Sequence, residues 1–279
     1  MKRDGQDMEM MMQPHRDWIE NYGPCALVTG ASDGIGRAFA EEIAKRGVNL
    51  VLVARRTELL EQLAVELSGR YGVGAEIIAA DLSTQDGVDV VLTATESIDI
   101  GLFVAAAGFG TSGDFAANSL ADELNMLDVN CRAVAAHTHS LANRLKARGR
   151  GGIILLSSLV GFQGTPRAAN YAATKAYIQS LAEGIRVELK PYNVDVLSVA
   201  PGPVASGFAK RADMIMGGAD KPATVATAAL NAVGRRFTAR PGFLGKLLGY
   251  SLCLTPRWAR IQIMNQVMGG MTQHQRKDQ

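Results

Sequence analysis

The chain has little of several features that would place it in a large protein class. It carries three cysteines, Cys25, Cys131 and Cys253, an odd number with no metal-ligand spacing. They read as reduced thiols, two of them buried, which excludes a disulfide scaffold and points to a reducing compartment. Lys and Arg exceed the acids by only two, 29 against 27, and are scattered without a basic stripe, so no nucleic-acid footprint is expected. No run approaches the roughly 18 apolar residues of a membrane span. The nearest, "GFLGKLLGYSLCL" (242–254), is short and interrupted by Lys246. The opening "MKRDGQDMEMMMQPHRDW" has acids and no continuous apolar core, so it is not a secretory signal. No metal centre is expected either. His137 and His139 are two apart and on a helix point roughly 200° from each other, which leaves them surface or helix-packing roles.

What is present suits a globular domain with a sizeable core: 47% hydrophobic residues, 30 glycines and 20% charge. Short apolar runs alternate with helical patterns. Strands are expected at 25–30, 49–55, 75–82, 100–108, 151–158 and 194–202. Helices fall between them, including a long one near 118–147 and another near 171–190. The runs are apolar throughout rather than alternating, as when both faces of a sheet are covered. Six β–α alternations of this kind predict an α/β chain with a Rossmann-like, doubly wound parallel sheet. Residues 1–14 read as a flexible tail, 15–235 as the sheet domain and 236–279 as a helical appendix. Trp18 and Tyr22 are expected to pack an N-terminal helix onto the domain.

"TGASDGIG" (29–36) follows the first strand and opens a helix, the context that turns a glycine motif into a phosphate cradle. Gly30 permits a tight turn, and Gly34 and Gly36 let backbone approach a pyrophosphate at a helix N-terminus. Ser32, Asp33 and Ile35 complete the cofactor-facing stretch. A carboxylate about 20 residues on would hold a ribose 2′-hydroxyl, but the second strand ends in Arg55 and Arg56. A guanidinium pair suits a 2′-phosphate and predicts NADP(H), the alternative being a solvated strand end. Asp81, beside Leu82, either accepts from the adenine amino group or caps a helix. Ala107 and Gly108 end the fourth strand on the same floor.

"YAATK" puts Tyr171 and Lys175 one helical turn apart on one face. A free tyrosine titrates near 10 and exchanges protons sluggishly at neutral pH, and an ammonium beside it favours the phenolate. Such a pair can protonate the alkoxide that hydride transfer to a carbonyl leaves, and Lys175 can also bond a ribose. Ser157 or Ser158, at the carboxyl end of the fifth strand, can polarise the carbonyl. Successive strand residues face opposite ways, so one of the two serves. The spacing alone does not separate this from surface decoration.

The ensemble resembles the short-chain dehydrogenase/reductase family. "TGASDGIG", "DVN" (128–130), "SS" (157–158), "YAATK" and "PGPV" (201–204) occur in that family's order and approximate spacing across residues 24–235. The resemblance selects Ser158 and adds Asn130, holding a water that links Lys175 to solvent. It sets Pro201 and Gly202 beside the nicotinamide, with the backbone of Val204 on its carboxamide and Ser206 standing in for a cofactor-reaching threonine. It implies an NADP(H)-dependent oxidoreductase of carbonyl and secondary-alcohol substrates, working as a dimer or tetramer built on the long helices. A catalytically silent dinucleotide sensor or scaffold is the rival reading, and an epimerase or dehydratase on the same fold a weaker one.

The family's Asn-Asn-Ala-Gly is here "AAAG" (105–108), so a looser cofactor floor is expected where the amides are missing. Residues 205–219, with Met214 and Met216, read as a mobile apolar lid or a loosely packed loop. The basic, apolar appendix around Trp258 docks on its own domain, on a sister subunit or on a membrane surface. Lid and appendix together suggest a lipophilic ketone, and the expected location is the cytoplasm, peripheral to a membrane in the last case.

Overall fold

Runs of branched apolar residues form seven parallel strands: β1 Cys25–Thr29, β2 Asn49–Ala54, β3 Ala75–Ala79, β4 Ile100–Ala105, β5 Gly151–Leu156, β6 Val194–Val199 and β7 Thr238–Ala239. A computed structural model describes residues 18–215, 217–242, 245 and 255–276. The strand order is β3-β2-β1-β4-β5-β6-β7, so the chain reverses direction across the sheet between β1 and β4. Every residue of β1, β4 and β5 is buried, which is why these segments lack alternation.

Helices cover both faces. On one, α1 (Gly34–Ala44), α2 (Thr57–Tyr71) and α7 (Pro222–Ala232) bury Phe39, Ile43, Leu60, Leu63 and Leu230. On the other, α3 (Gln85–Ala94), α5 (Ala133–Arg148) and α6 (Ala169–Leu189) bury Val88, Val91, Leu141, Leu145 and Ile178. Local chemistry sets several ends. Thr84 and Ser119 side chains cap α3 and α4 (Leu120–Leu127), and Gly72 and Gly149 end α2 and α5 in the left-handed region. Trp18 and Tyr22 pack ring to ring at 5.1 Å, and the Tyr22 hydroxyl donates to Asp195 at 2.7 Å.

Two elements differ from the sequence reading. The sheet runs past residue 235 into β7, whose two residues are too few to leave an apolar run. The helix expected over 118–147 is broken: α4 gives way to a π-helical turn at Asp128–Arg132 before α5. A π turn inserts one residue into the helical repeat and so shifts the faces on either side of it. It turns Asn130 inward, where it is 1% exposed.

At "AAAG", where a looser floor is expected, one main-chain bond is supplied from β1. Thr29, 2% exposed, accepts the Ala107 N–H at 3.2 Å and donates to the Val104 carbonyl at 3.5 Å. A hydroxyl from β1 thus takes up a main-chain bond at the end of β4. Thr29→Val keeps the shape and removes that partner. It should cost about 1–3 kcal/mol in urea denaturation, and an unchanged stability would show that the Ala107 N–H does not depend on Thr29.

Candidate active site

Because the strand order reverses between β1 and β4, the loops after these strands diverge and leave a crevice at the carboxyl edge. Gly30, at φ 70°, turns the chain there, and a Cβ on it would lie 2.8 Å from Ala107 backbone. Gly34, at φ 55°, opens α1 so close to Ser206 that a Cβ would come within 2.9 Å of the serine's own. Asp33 caps the helix, accepting the Gly34 N–H at 2.7 Å.

A cavity of about 500 Å³ lies over this turn. It brings together Gly30, Ser32, Asp33, Gly34, Ile35, Gly36, Arg55, Arg56, Asp81, Leu82, Ala107, Gly108 and Ser206. Arg55 and Arg56 are exposed at its rim, and Arg56 donates to the Ser32 hydroxyl at 3.0 Å. Asp81 does not cap α3, a task Thr84 performs; its carboxylate accepts the Ser83 N–H at 3.0 Å. Burial would raise the Asp81 carboxyl, but the Ser83 bonds and the cations Arg55 and Arg211 outweigh it and hold it below its ordinary range.

A second cavity, about 370 Å³, opens beside the first and shares Ile35, Ala106, Gly108, Ser206 and Phe208 with it. Its walls include Ser158, Tyr171, Lys175, Pro201, Gly202 and Val204. Lys175, 7% exposed, has its Nζ 5.7 Å from the Tyr171 ring centre and donates to the Leu156 carbonyl at 2.7 Å. The two serines divide as strand alternation requires. Ser157 is buried and donates to the Lys175 carbonyl at 2.8 Å, bracing α6, whereas the Ser158 hydroxyl accepts the Val160 N–H at 3.4 Å and shares the cavity wall with Tyr171.

The electrostatics correct one expectation. Burial pushes the Tyr171 phenol above its ordinary value, with the nearby Ser158 hydroxyl pulling it down. Burial likewise pulls Lys175 from 10.5 to about 8. In the protein itself desolvation, not the neighbouring ammonium, dominates, so Tyr171 holds its proton at neutral pH.

Asn130 lines neither cavity. Its Oδ1 accepts the Phe109 N–H at 3.1 Å, while its Nδ2 donates to the Phe109 carbonyl at 2.8 Å and to Thr174 Oγ1 at 3.1 Å. Both ends of the amide are committed to bracing the loop after β4 against α6. Val204 forms a bridge with Asp220 in which Pro203 and Ala205 make the main-chain bonds, at 2.9 Å each. Its own N–H and carbonyl therefore point the other way.

Other contributors carry no sequence signal, because they lie far from the motifs or have no motif. Phe208 stacks on Tyr171 with ring centres 5.2 Å apart, and Gly110 leaves room for that contact. Arg211 lies in the first cavity with its guanidinium 3.7 Å from the Phe109 ring centre. Glu123, buried in α4, accepts from Thr111 and Asn170 at 2.7 Å each and from Asn118 at 2.8 Å, pinning the residue before Tyr171. The helix α8 (Arg257–Met271) roofs the second cavity with Ile263, Met264, Val267, Met268 and Met271. The stretch expected as a lid is fastened at several points. Ile215 N–H donates to the Met271 carbonyl at 2.9 Å, Ser112 to the Ala212 carbonyl at 2.6 Å, and Asp213 pairs with His274 at 3.0 Å. Residues 1–17, Met216, and 246–254 with Cys253 and Lys246 lie outside the described residues.

A glycine cradle at the switch point joined to a half-buried tyrosine and serine and a buried lysine defines a nicotinamide-dinucleotide oxidoreductase acting on CH–OH groups. Residues 24–214 match the family model described as short chain dehydrogenase, and the chain belongs to that family. It is 36% identical over 183 residues to a 7beta-hydroxysteroid dehydrogenase of Clostridium sardiniense, covering 66% of this chain and 70% of that protein. It is 30% identical over 248 residues to a very-long-chain 3-oxoacyl-CoA reductase of Mus musculus, covering 87% and 78%. Among solved structures, a short-chain dehydrogenase from Sphingobium yanoikuyae in complex with NADPH superposes with a TM-score of 0.74 at 31% identity, over 78% of this chain and 86% of that one.

Lys175 makes stability depend on pH. Its folded value, about 8, lies below its ordinary 10.5. Across that window the unfolded chain holds a proton that the folded chain has released, so this group's contribution rises with pH, by at most about 1.4 kcal/mol per unit. Below the window the cost of burying the charge is present in full. The stability difference between wild type and Lys175→Met should therefore move in favour of wild type as pH rises from 8 to 10. A flat difference would mean that Lys175 is not desolvated.

Proposed function

We propose that the chain interconverts a bulky, lipophilic ketone and its secondary alcohol with NADP(H), Tyr171 passing the proton. The observation that carries this reading is the grouping of Tyr171, Ser158 and Lys175 on one apolar cavity that adjoins the cavity over the glycine turn. The cradle fits a dinucleotide: Gly30 and Gly34 have no room for side chains, and guanidiniums replace the carboxylate at the end of β2.

Gly30, Ser32, Gly34 and Gly36 would hold the phosphates, Arg55 and Arg56 the 2′-phosphate, and Asp81 and Leu82 the adenine. Lys175 would bond the nicotinamide ribose, and the Val204 main chain, turned away from Asp220, would take the carboxamide. Bound NADPH supplies a hydride from nicotinamide C4. Ser158 then donates to the substrate oxygen, and Tyr171, protonated at neutral pH, delivers its proton as charge builds there. Asn130 serves this reading by holding Phe109 and Thr174 in place; a water relay from Lys175 would use groups other than its amide.

The substrate class rests on the second cavity, whose size lies in the ordinary range for small-molecule sites of about 300–1,000 Å³. Four methionines, Met214, Met264, Met268 and Met271, line it. Thioethers adapt to irregular apolar shapes, and the names of the two relatives specify a steroid and a very long acyl chain. Among the described residues no helix is long and apolar enough to cross a membrane. Assembly through α4–α6 into dimers or tetramers, and a cytoplasmic location, belong to the same reading, as does the division into a sheet domain and a C-terminal appendix, with the boundary moved past β7. Exposed Leu120, Leu124 and Val187 offer apolar contact on those helices.

The test is a fluorescence titration of wild type and Tyr171→Phe with NADPH and NADH, followed by turnover on a panel of steroid and long-chain ketones. NADPH should bind wild type at least about tenfold tighter than NADH. Tyr171→Phe should keep that affinity and lose about 10²- to 10⁴-fold in turnover. Undiminished turnover would remove Tyr171 from the chemistry, and tighter NADH binding would reverse the cofactor assignment.

A further inference from the structure

We propose that Arg211 is a third cation of the 2′-phosphate site, and that through it the 2′-phosphate draws the turn Phe208–Arg211 down over both cavities. The proposal rests on the NADP(H) reading above and adds to it a residue that belongs to no sequence motif.

The turn spans the two cavities within four residues. At its start Phe208 stacks on Tyr171 at 5.2 Å, beside the reacting groups. At its end Arg211 reaches into the cofactor cavity, its guanidinium carbon over the Phe109 ring and 3.7 Å from the ring centre. Phe109 is itself fixed, since Asn130 bonds both its N–H and its carbonyl. The guanidinium is thus oriented by a rigid aromatic plate and forms no ion pair among the described residues.

Arg55 and Arg56 enter the same cavity from the end of β2, and Lys210 from the lid. Arg55 and Arg211 are close enough to repel: burial first, and then the Arg55 charge, lower the Arg211 value, with Asp122 and Asp81 acting in the opposite direction. Cations gathered around one cavity from two separate segments call for an anion between them. A phosphate dianion supplies it, and a guanidinium held in a plane can offer two parallel N–H groups to its oxygens. A ribose 2′-hydroxyl cannot do the same, so only the phosphorylated cofactor would tie the lid to the end of β2.

That tie reaches the substrate cavity. Beyond Arg211 the chain runs through Ala212 and Met214, which pack with Met264 and Met268 of α8. Holding Arg211 therefore sets the roof under which a lipophilic substrate binds, and it makes cofactor selection and substrate affinity share one element.

The experiment compares wild type, Arg211→Met and Arg211→Lys. Kd is measured for NADPH, NADH and adenosine 2′,5′-bisphosphate, together with amide hydrogen exchange over residues 205–215 with NADP⁺ or NAD⁺ added. Arg211→Met should lose about tenfold or more in affinity for NADPH and the bisphosphate and keep its affinity for NADH. Arg211→Lys, which keeps the charge without the stacked plane, should fall between. In wild type, NADP⁺ but not NAD⁺ should slow exchange across Phe208–Met214, and in Arg211→Met neither should. Unchanged NADPH affinity, or equal losses for NADPH and NADH, overturns the proposal and leaves the cofactor reading standing. Wild type that binds NADH as tightly as NADPH overturns the cofactor reading, and this proposal with it. If Arg211→Met does not fold, Arg211→Lys decides, and an unchanged NADPH-to-NADH ratio counts against the proposal.

Discussion

A seven-stranded parallel sheet covered by helices on both faces leaves only its edges for chemistry, and at the carboxyl edge every βα loop arrives from the same side. The reversal of strand order between β1 and β4 parts two of those loops, and the rest of the site follows from that gap. The glycine turn occupies one lip and the loop after β4 the other. They come so close that Gly30 nearly touches Ala107, which is why the position tolerates no side chain.

The candidate catalytic groups sit next to this gap at a cost in stability. A lysine ammonium is held in a nearly closed environment by one carbonyl, from Leu156, and a tyrosine is buried until its phenol resists ionisation. The surrounding structure is built to keep them there. Ser157 bonds the Lys175 carbonyl, Glu123 holds Asn170, and Asn130 ties Phe109 to Thr174, which in turn bonds the Tyr171 carbonyl. None of these braces donates a proton to a substrate, yet together they fix α6 against the loops that carry the cofactor.

The second cavity is made by another principle. Its roof comes from the far end of the chain, where α8 lays methionines and branched side chains over the catalytic groups, and the segment after "PGPV" joins it through Ile215 and Met271. Flexible thioethers packed against one another give a surface that can accept more than one apolar shape. Polar tethers at Ser112, Asp213, His274 and Gln275 hold the two parts of the roof together at their exposed end.

Alternating apolar runs and helical repeats were enough to read six strands of a parallel sheet and the glycine turn, because each βα unit carries its pattern in residues close in the chain. "TGASDGIG", Arg55 and the Tyr171–Lys175 pair were legible for the same reason. The two-residue β7 was not, since pairing with β6 rather than any local pattern makes it a strand. The π turn at Asn130, the Thr29 hydroxyl that bonds the Ala107 N–H, the lowering of Lys175 by burial, and the placement of Arg211 and α8 over the cavities are decided by packing between segments far apart in sequence. Local composition determines which backbone forms and which chemistry is available. Only the tertiary structure determines how dry each group is and which distant side chain it faces, and those two quantities set its charge and its role.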